Sequence, residues 1–452
     1  MEKKVSIVMP VLNGMPYFEK ALDSVRKQTL ADIEIVVVDS GSTDGTLEYI
    51  KNCILLDERI KLICTQKKSM GHQYNLGISS ASGEYVGFCE SDDFLDEGAM
   101  QYLYEIAEEN MKPDCVKSVY TFFVEKERKI EVENTVLAPN SLHMYNKVVT
   151  IDNLLALFSR DIFMWNGIYK RAFITQNNIR LNETKGAAFQ DTGFVLQVHM
   201  LSRSTVYGNR IVYHYRKDND NSSVYKATGE FVVNEMIYIL DFFEQHRECK
   251  EKYLFEVLTR IIGLFVSTYG KDIYMGNADK YEEKVMLAQD ILTKFVNCLS
   301  YSQKSRIEKI NLLFMFCNYI EGFKSYALNN YRYRVAVLAE FWKYIKRKSK
   351  LVVFGIGEMG CSLAVALLRS MYEGEIIFCD NKLEKKEKVV NCDAFPVEYA
   401  VQQHGDALFL IPNMVYYKAM QRQLVSLGLD PDNIICAPVF GETARMEEDL
   451  RK

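Results

Sequence analysis

Glu90-Ser91-Asp92-Asp93 gathers three carboxylates within four residues, where a short apolar run, Tyr85 to Cys89, gives way to polar chain. Hard oxygen donors of this kind suit Mg²⁺ or Mn²⁺ bridged to phosphate. Side chains at the carboxyl end of a strand in an open α/β sheet face its ligand crevice, so the location suits a metal as well as the residue types do. A lone Asp-Asp pair is by default an acidic turn capping the next helix, and the surrounding pattern has to decide.

That pattern is a repeat of strands and helices. Val5 to Met9, Ile33 to Val38, Ile60 to Cys64 and Tyr85 to Cys89 are short Val- and Ile-rich runs separated by about one helix and its loops, which predicts βα units and a mostly parallel sheet. The second run ends in Asp39-Ser40-Gly41-Ser42-Thr43-Asp44-Gly45, so Asp39 lies on the same sheet edge as Asp92 and Asp93. Its carboxylate there can accept from a nucleobase N–H or a ribose hydroxyl, while Thr43 or, better, Asp44 caps the helix behind it.

These motifs resemble, in order, those of the inverting family 2 glycosyltransferases of the GT-A fold. Val8-Met9-Pro10-Val11-Leu12-Asn13 is similar to the opening strand and loop, and Val38 to Thr46 to the nucleotide-binding loop. Gly71-His72-Gln73-Tyr74-Asn75-Leu76-Gly77 and Ala81-Ser82-Gly83-Glu84-Tyr85 lead into the acidic motif. The resemblance covers about half the chain. It implies a nucleotide-sugar donor, a UDP-sugar above all, held by Pro10, Val11, Asn13, Asp39, Asn75 and Asp92. Asp93, with Asp92, would ligate Mg²⁺ or Mn²⁺. Ser40 and Tyr74 depart from the family's usual Asp and Arg at the nucleotide pocket, which opens the question of the donor base, while Glu90 in place of the usual Asp keeps the charge on a longer arm, so the metal falls chiefly to Asp93.

The resemblance also implies a base that takes the proton of the acceptor hydroxyl as it attacks the anomeric carbon. A carboxylate suits that task. In Phe189-Gln190-Asp191-Thr192-Gly193, Asp191 matches the family's base and Gln190 replaces the acidic residue before it. Read without the family, Asp191 is an N-cap for the helix through Phe194 and Val198. Trp165, in Met164-Trp165-Asn166-Gly167, offers a flat face to a sugar ring or belongs to the core. Arg216 or His214, in Tyr213-His214-Tyr215-Arg216, could neutralise the leaving diphosphate, and an ordinary strand facing solvent explains the alternation equally.

Composition bounds the class. With 452 residues, 48% of them hydrophobic, and a net charge of −5, the chain has room for two or three full domains and no general footing for nucleic acid. The 11 cysteines include no CxxC pair, which predicts reduced thiols and no structural zinc site. Met1-Glu2-Lys3-Lys4 enters a strand at once and no apolar run can span a bilayer, so a cytoplasmic protein without a signal peptide is expected.

Beyond Val224 the spacing becomes helical: Val233, Met236, Ile237, Leu240 and Phe243, then Leu254, Val257, Leu258 and Ile261. The segment from Tyr331-Arg332-Tyr333-Arg334 to Lys343-Tyr344-Ile345-Lys346-Arg347-Lys348 mixes aromatic and basic residues. Such a helix suits peripheral contact with an anionic membrane, at its inner face, or is a solvated face. A second α/β unit then opens with Leu351-Val352-Val353-Phe354 and Gly355-Ile356-Gly357-Glu358-Met359-Gly360, followed by a strand ending in Asp380. Gly355, Gly357, Gly360 and Asp380 form the glycine fingerprint of a nucleotide or dinucleotide site. The unit resembles Rossmann-like modules attached to bacterial polysaccharide-biosynthesis proteins, and no hydride-transfer site accompanies it.

The expected architecture is therefore α/β: a GT-A domain with a mixed, mostly parallel sheet over residues 1–225, a helical connector over 226–349 and a smaller Rossmann-like domain over 350–452. The expected activity is metal-dependent transfer of a sugar to a saccharide or lipid-linked saccharide acceptor in surface polysaccharide synthesis. A nucleotidyltransferase of related fold would carry a glycine-rich basic loop where this chain has Val11-Leu12-Asn13-Gly14-Met15-Pro16. A non-catalytic binding protein is the other alternative, made thinkable by Ser40, Tyr74 and Gln190.

Overall fold

The computed structural model describes residues 3–437 apart from 126–129, 135, 138, 154, 220, 224–226, 298, 309–310, 358, 361–362, 365–366, 368–371, 390–391 and 414–415. The chain divides into two compact units, Met1–Thr121 with Thr135–Asn329 and Phe122–Asn134 with Asn330–Lys452.

In the first unit β1 (Val5–Val11), α1 (Tyr17–Arg26), β2 (Ile33–Asp39), α2 (Thr46–Leu56), β3 (Ile60–Cys64), α3 (Met70–Ser80) and β4 (Tyr85–Phe88) alternate as the periodicity predicts. β1 pairs in parallel with β2 and β4, and β2 with β3. Every residue of β1, β2 and β4 is buried. Strands covered on both faces have no solvent side to alternate toward, hence their near-continuous Val and Ile. Glu34 breaks the run without breaking the strand. Burial alone would raise its pKa, but hydrogen bonds from Lys61, Ser6 and Ser82 outweigh burial and hold it at about 2.

The chain continues through β5 (Phe94–Leu95), α4 (Ala99–Glu109), β6 (Cys115–Val124), β7 (Ile130–Asn134), β8 (Val148–Val149), α5 (Leu157–Arg160), β9 (Gly167–Lys170), α6 (Arg171–Gln176), α7 (Gln190–Leu201) and β10 (Thr205–Arg216). The sheet runs β3-β2-β1-β4-β9-β6-β10-β5, with β7 on β6 and β8 on β10. β9 is antiparallel to β4 and β6, and β5 is antiparallel to β10. The sheet is thus mixed, with its parallel half made by the βα repeats. This bears out the expected α/β class.

Helices follow: α8 (Gly229–Gln245), α9 (Arg247–Tyr274), α10 (Glu282–Asn297), α11 (Tyr301–Glu308), α12 (Asn311–Asn318) and α13 (Ile320–Ile345). Val233, Met236, Leu240, Phe243, Leu254, Val257, Leu258 and Ile261 are buried and Ile237 is half-buried, so both predicted stripes face a core apart from Ile237 at the edge of the first. Residues 226–329 fall in the same compact unit as the large sheet, which differs from the separate connector read from the sequence.

The second unit has a six-stranded sheet ordered β13-β14-β12-β11-β15-β16. Its strands are β11 (Lys350–Phe354), β12 (Glu375–Asp380), β13 (Glu387–Val389), β14 (Cys392–Pro396), β15 (Leu408–Ile411) and β16 (Ile434–Cys436). All pair in parallel except β13 with β14. One face of this sheet buries Leu351, Val353, Ile376 and Phe378 against Leu338, Phe341, Trp342 and Ile345 of α13. The apolar stripe of the basic segment belongs to the C-terminal core, and Arg332, Lys343, Lys346 and Arg347 stay exposed because they lie on the other side. Among the described residues no helix is long and apolar enough to cross a membrane.

Candidate functional site

β4 delivers the chain, through buried Cys89, into the acidic turn. Glu90, Asp92 and Asp93 each bring a carboxylate oxygen within 4.8 Å of the others. Asp93 is 1% exposed. Its Oδ2 accepts from the Tyr213 hydroxyl at 2.8 Å and its Oδ1 from the Arg216 backbone N–H at 2.7 Å. The same Tyr213 hydroxyl accepts from the Glu90 N–H at 3.0 Å. Asn219 Nδ2 donates to Asp92 Oδ2 at 2.7 Å. The carboxylate of Glu90 accepts no hydrogen bond among the described residues.

Burial raises the pKa of Glu90, Asp92 and Asp93. Mutual repulsion adds to this for Glu90 and Asp93, and Lys217 offsets it for both only in part. Three hard donors whose ionisation is opposed by burial and by one another fit a divalent cation, which would supply the missing positive charge.

The two loops beside β1 and β2 are tied together. Asn13, held in the left-handed region at φ 54°, accepts from Thr43 N–H at 2.8 Å through Oδ1 and donates its own N–H to Ser42 Oγ at 2.9 Å. Asp44 accepts from the N–H of Thr46, the first residue of α2, at 3.1 Å and from Met15 N–H at 2.9 Å. Asp39 is 1% exposed. Its Oδ1 receives the N–H groups of Gly41 and Ser42 at 2.9 and 3.0 Å. Its buried Oδ2 has no hydrogen-bond partner. Pro10 and Val11 are buried in β1, where the Val11 carbonyl takes Ser40 N–H and Gln73 Nε2; they shape the loop through the backbone.

Asp191 lies in the first turn of α7. The residue capping that helix is Phe189, at φ 65°, so Asp191 is not the N-cap. Burial pushes its pKa to about 6 against the Thr192 N–H, Arg260 and Lys117. It is near enough to Glu90 to raise that residue's pKa in turn. Gln190, fully buried, donates weakly through Nε2 to the Gly186 carbonyl at 3.3 Å.

The loop leading into α7 is latched to α3. Asn75 donates to the Leu181 carbonyl at 2.9 Å and accepts from Leu181 N–H at 3.0 Å. Glu183 accepts from Asn75 Nδ2 at 3.0 Å, from His72 Nδ1 at 2.8 Å and from Lys67 Nζ at 2.5 Å. Ser69 bridges to Gly186 in parallel. At Gly71 a Cβ would stand 1.9 Å from the Asn182 carbonyl, so only glycine permits this approach.

Several residues expected to touch substrate are spent on the protein. The Asn75 amide is committed to Leu181 and Glu183. Trp165 is 2% exposed and stacks on Tyr213 and Phe163 at 4.2 and 4.6 Å. Arg216 donates from Nε to the Asp92 carbonyl at 2.8 Å and from Nη1 to Asp218 at 3.1 Å, with Tyr17 under its guanidinium at 4.4 Å. His214 stacks on Phe94 at 4.2 Å and hydrogen-bonds Thr121. Arg216 and His214 thus brace the acidic turn. Lys217, Arg260 and Glu183 belong to none of the motifs quoted from the sequence, and Tyr213, within Tyr213-His214-Tyr215-Arg216, has no role assigned there. Lys217 stands next to Arg216 in a motif already singled out, so its charge was a signal available to find it.

In the C-terminal unit Gly355 sits at φ 119°, and a Cβ on Gly360 would lie 1.9 Å from the Gly355 carbonyl. A Cβ at Gly357 would meet open space. Asp380 accepts from Ile356 N–H at 3.1 Å and Lys382 N–H at 2.8 Å. Its carboxylate therefore closes the glycine loop on itself, a use that the fingerprint spacing does not distinguish from a ribose contact.

Comparison with known proteins fits this geometry. The model of Glycosyl transferase family 2 matches residues 6–171, the stretch holding both loops and the acidic turn. The chain carries a family 2 glycosyltransferase domain. Glycosyltransferase GlyA of Streptococcus pneumoniae is 29% identical over 221 residues, 48% of this chain and 31% of that protein. The GalNAc(5)-diNAcBac-PP-undecaprenol beta-1,3-glucosyltransferase of Campylobacter jejuni is 29% identical over 218 residues, 47% of this chain and 64% of that protein. The chain thus spans less than two thirds of either glycosyltransferase. The cholesterol galactosyltransferase of Borreliella burgdorferi is 25% identical over 332 residues, 69% of this chain and 90% of it. S. aureus TarS 1-349 in complex with UDP-GlcNAc has the same fold, with a TM-score of 0.55 at 19% identity over 75% of this chain and 91% of that one.

Proposed function

We propose that this protein is a metal-dependent, inverting glycosyltransferase that moves a sugar from a UDP-sugar to an acceptor hydroxyl. The observation that carries the reading is the placing of Asp191, with a pKa of about 6, within electrostatic reach of a three-carboxylate cluster on another element. Asp93 and Asp92, with Glu90, would hold Mg²⁺ or Mn²⁺. When bound, such an ion neutralises charge on the departing diphosphate. Asp39 Oδ2, buried and unpaired, is an acceptor for the imide N–H of uracil. Asp191 takes the proton of the acceptor hydroxyl while that oxygen bonds to the anomeric carbon, and the bond from that carbon to the diphosphate oxygen breaks on the opposite face.

An acceptor that is a saccharide or lipid-linked saccharide agrees with the undecaprenol-linked substrate in the name of the Campylobacter relative. Work on a growing surface polysaccharide at the cytoplasmic face of the membrane follows from that reading. We assign catalysis to residues 1–225 and a binding or scaffolding role to the C-terminal unit, with a nucleotide at Gly355 and Gly357 as its ligand if it has one. Calorimetry with UDP-sugars tests the site. Asp93→Ala should abolish Mn²⁺-dependent donor binding, and equal donor affinity with and without Mn²⁺ in the wild type contradicts the metal assignment.

A further inference from the structure

Among the described residues six tyrosines are buried to less than 2% exposure: Tyr74, Tyr85, Tyr169, Tyr207, Tyr213 and Tyr269. Five have a hydroxyl partner. Tyr85 donates to Pro113 O, Tyr169 to Met164 O, Tyr207 to Asp161, Tyr213 to Asp93 and Tyr269 to Glu282, all between 2.8 and 3.1 Å. Tyr74 has none. Buried hydroxyls are nearly always satisfied, and one left open needs an explanation in the molecule's working state.

Its position supplies one. The Tyr74 ring packs edge-on against Phe88, at 5.2 Å between centroids, and Phe88 packs edge-on against Phe194 at 5.7 Å. Phe88 lies two residues before Glu90, and Phe194 three residues after Asp191. Tyr74 thus contacts the strand that delivers the acidic cluster, at a ring that also packs on the helix that delivers the base. The groups whose charge it feels are Glu90, Cys89, Asp191 and Asp93, and burial with these neighbours keeps the phenol protonated. A neutral, unpaired donor whose nearest charges belong to the acidic cluster and to the base stands beside both groups that act on the transferred sugar.

We propose that Tyr74 is a specificity-determining residue whose hydroxyl donates to an oxygen of the transferred sugar. The proposal rests on the glycosyl-transfer reading above and deepens it. A site that spends a buried polar group on one substrate oxygen discriminates against a substrate lacking it, since the group is then left unpaired.

The test is calorimetric binding of UDP, UDP-glucose, UDP-galactose and UDP-GlcNAc, each with Mn²⁺, to wild type and Tyr74→Phe. The substitution keeps the ring and its contact with Phe88, so folding is preserved, and circular dichroism checks that. UDP should bind both proteins alike. The best wild-type UDP-sugar should lose roughly threefold to tenfold in affinity, and the spread of affinities among the sugars should narrow. An unchanged sugar preference in Tyr74→Phe overturns the proposal, and so does an equal loss for UDP and UDP-sugar, which places the contact on the nucleotide. A wild type that binds no nucleotide at all overturns the glycosyl-transfer reading and this inference with it.

Discussion

The hydroxyl of Tyr213 donates to Asp93 Oδ2 at 2.8 Å and accepts from the Glu90 N–H at 3.0 Å, so one side chain from β10 fixes both ends of the acidic turn. The turn is held at both ends while burial and mutual repulsion oppose its ionisation, which Lys217 offsets only in part for Glu90 and Asp93.

That imbalance predicts a stability signature. Carboxylates whose folded pKa lies above the unfolded value bind more protons when folded, so their contribution to stability falls as pH rises through the folded value. Mn²⁺ should raise the thermal midpoint, more at pH 7.5 than at pH 5, where protons compete for the same oxygens. Glu90→Gln, which loses no hydrogen bond to its carboxylate, should raise the metal-free midpoint by about 2–4 °C and weaken the response to Mn²⁺. Differential scanning calorimetry decides it; a lowered metal-free midpoint contradicts the repulsion argument.

Glu183 joins Lys67, His72 and Asn75 to the loop that leads into the helix carrying the base. Glu183→Gln should lower kcat by roughly tenfold to a hundredfold through misplacement of Asp191, with the donor KM nearly unchanged. Steady-state kinetics separates the two, and a rise in KM without loss of kcat makes the latch a donor-site feature.

The C-terminal core includes Leu338, Trp342 and Ile345 of α13. A fragment beginning at about Asn330 should fold alone, whereas one beginning at Lys350 lacks one cover of its sheet and should not. Within the whole chain Leu338→Ala, at a fully buried position, should cost about 2–5 kcal/mol. Hydrogen exchange would place the loss in β11 and β12. A stable, cooperative Lys350 fragment contradicts this boundary.

The βα repeat and the acidic turn were legible because they are local: each is a run of neighbouring residues with one periodicity or one chemistry. What braces them was not. Tyr213 reaches Asp93 across 120 residues, and Asn75 reaches Leu181 across 106. Motif position alone therefore read Asn75, Trp165 and Arg216 as substrate contacts, although each side chain matches a protein partner equally well. The apolar stripe of α13 was obscured for a similar reason. Its basic face dominates the composition of the segment, while Leu338, Phe341 and Ile345 declare themselves only through the sheet that they cover.

UDP release from a panel of UDP-sugars across pH 4.5–8.5, with Mn²⁺ or with chelator, is the decisive measurement for a metal-held donor with Asp191 as base. A base with a pKa of about 6 must be ionised to act, so the rate should fall about tenfold per unit below pH 6 and level off above it. Asp191→Asn should bind donor normally and release UDP two to four orders of magnitude more slowly, without that inflection. Metal-independent release would rule out the metal-held donor, and an Asp191→Asn variant that keeps both the rate and the pH profile of the wild type would rule out Asp191 as the base.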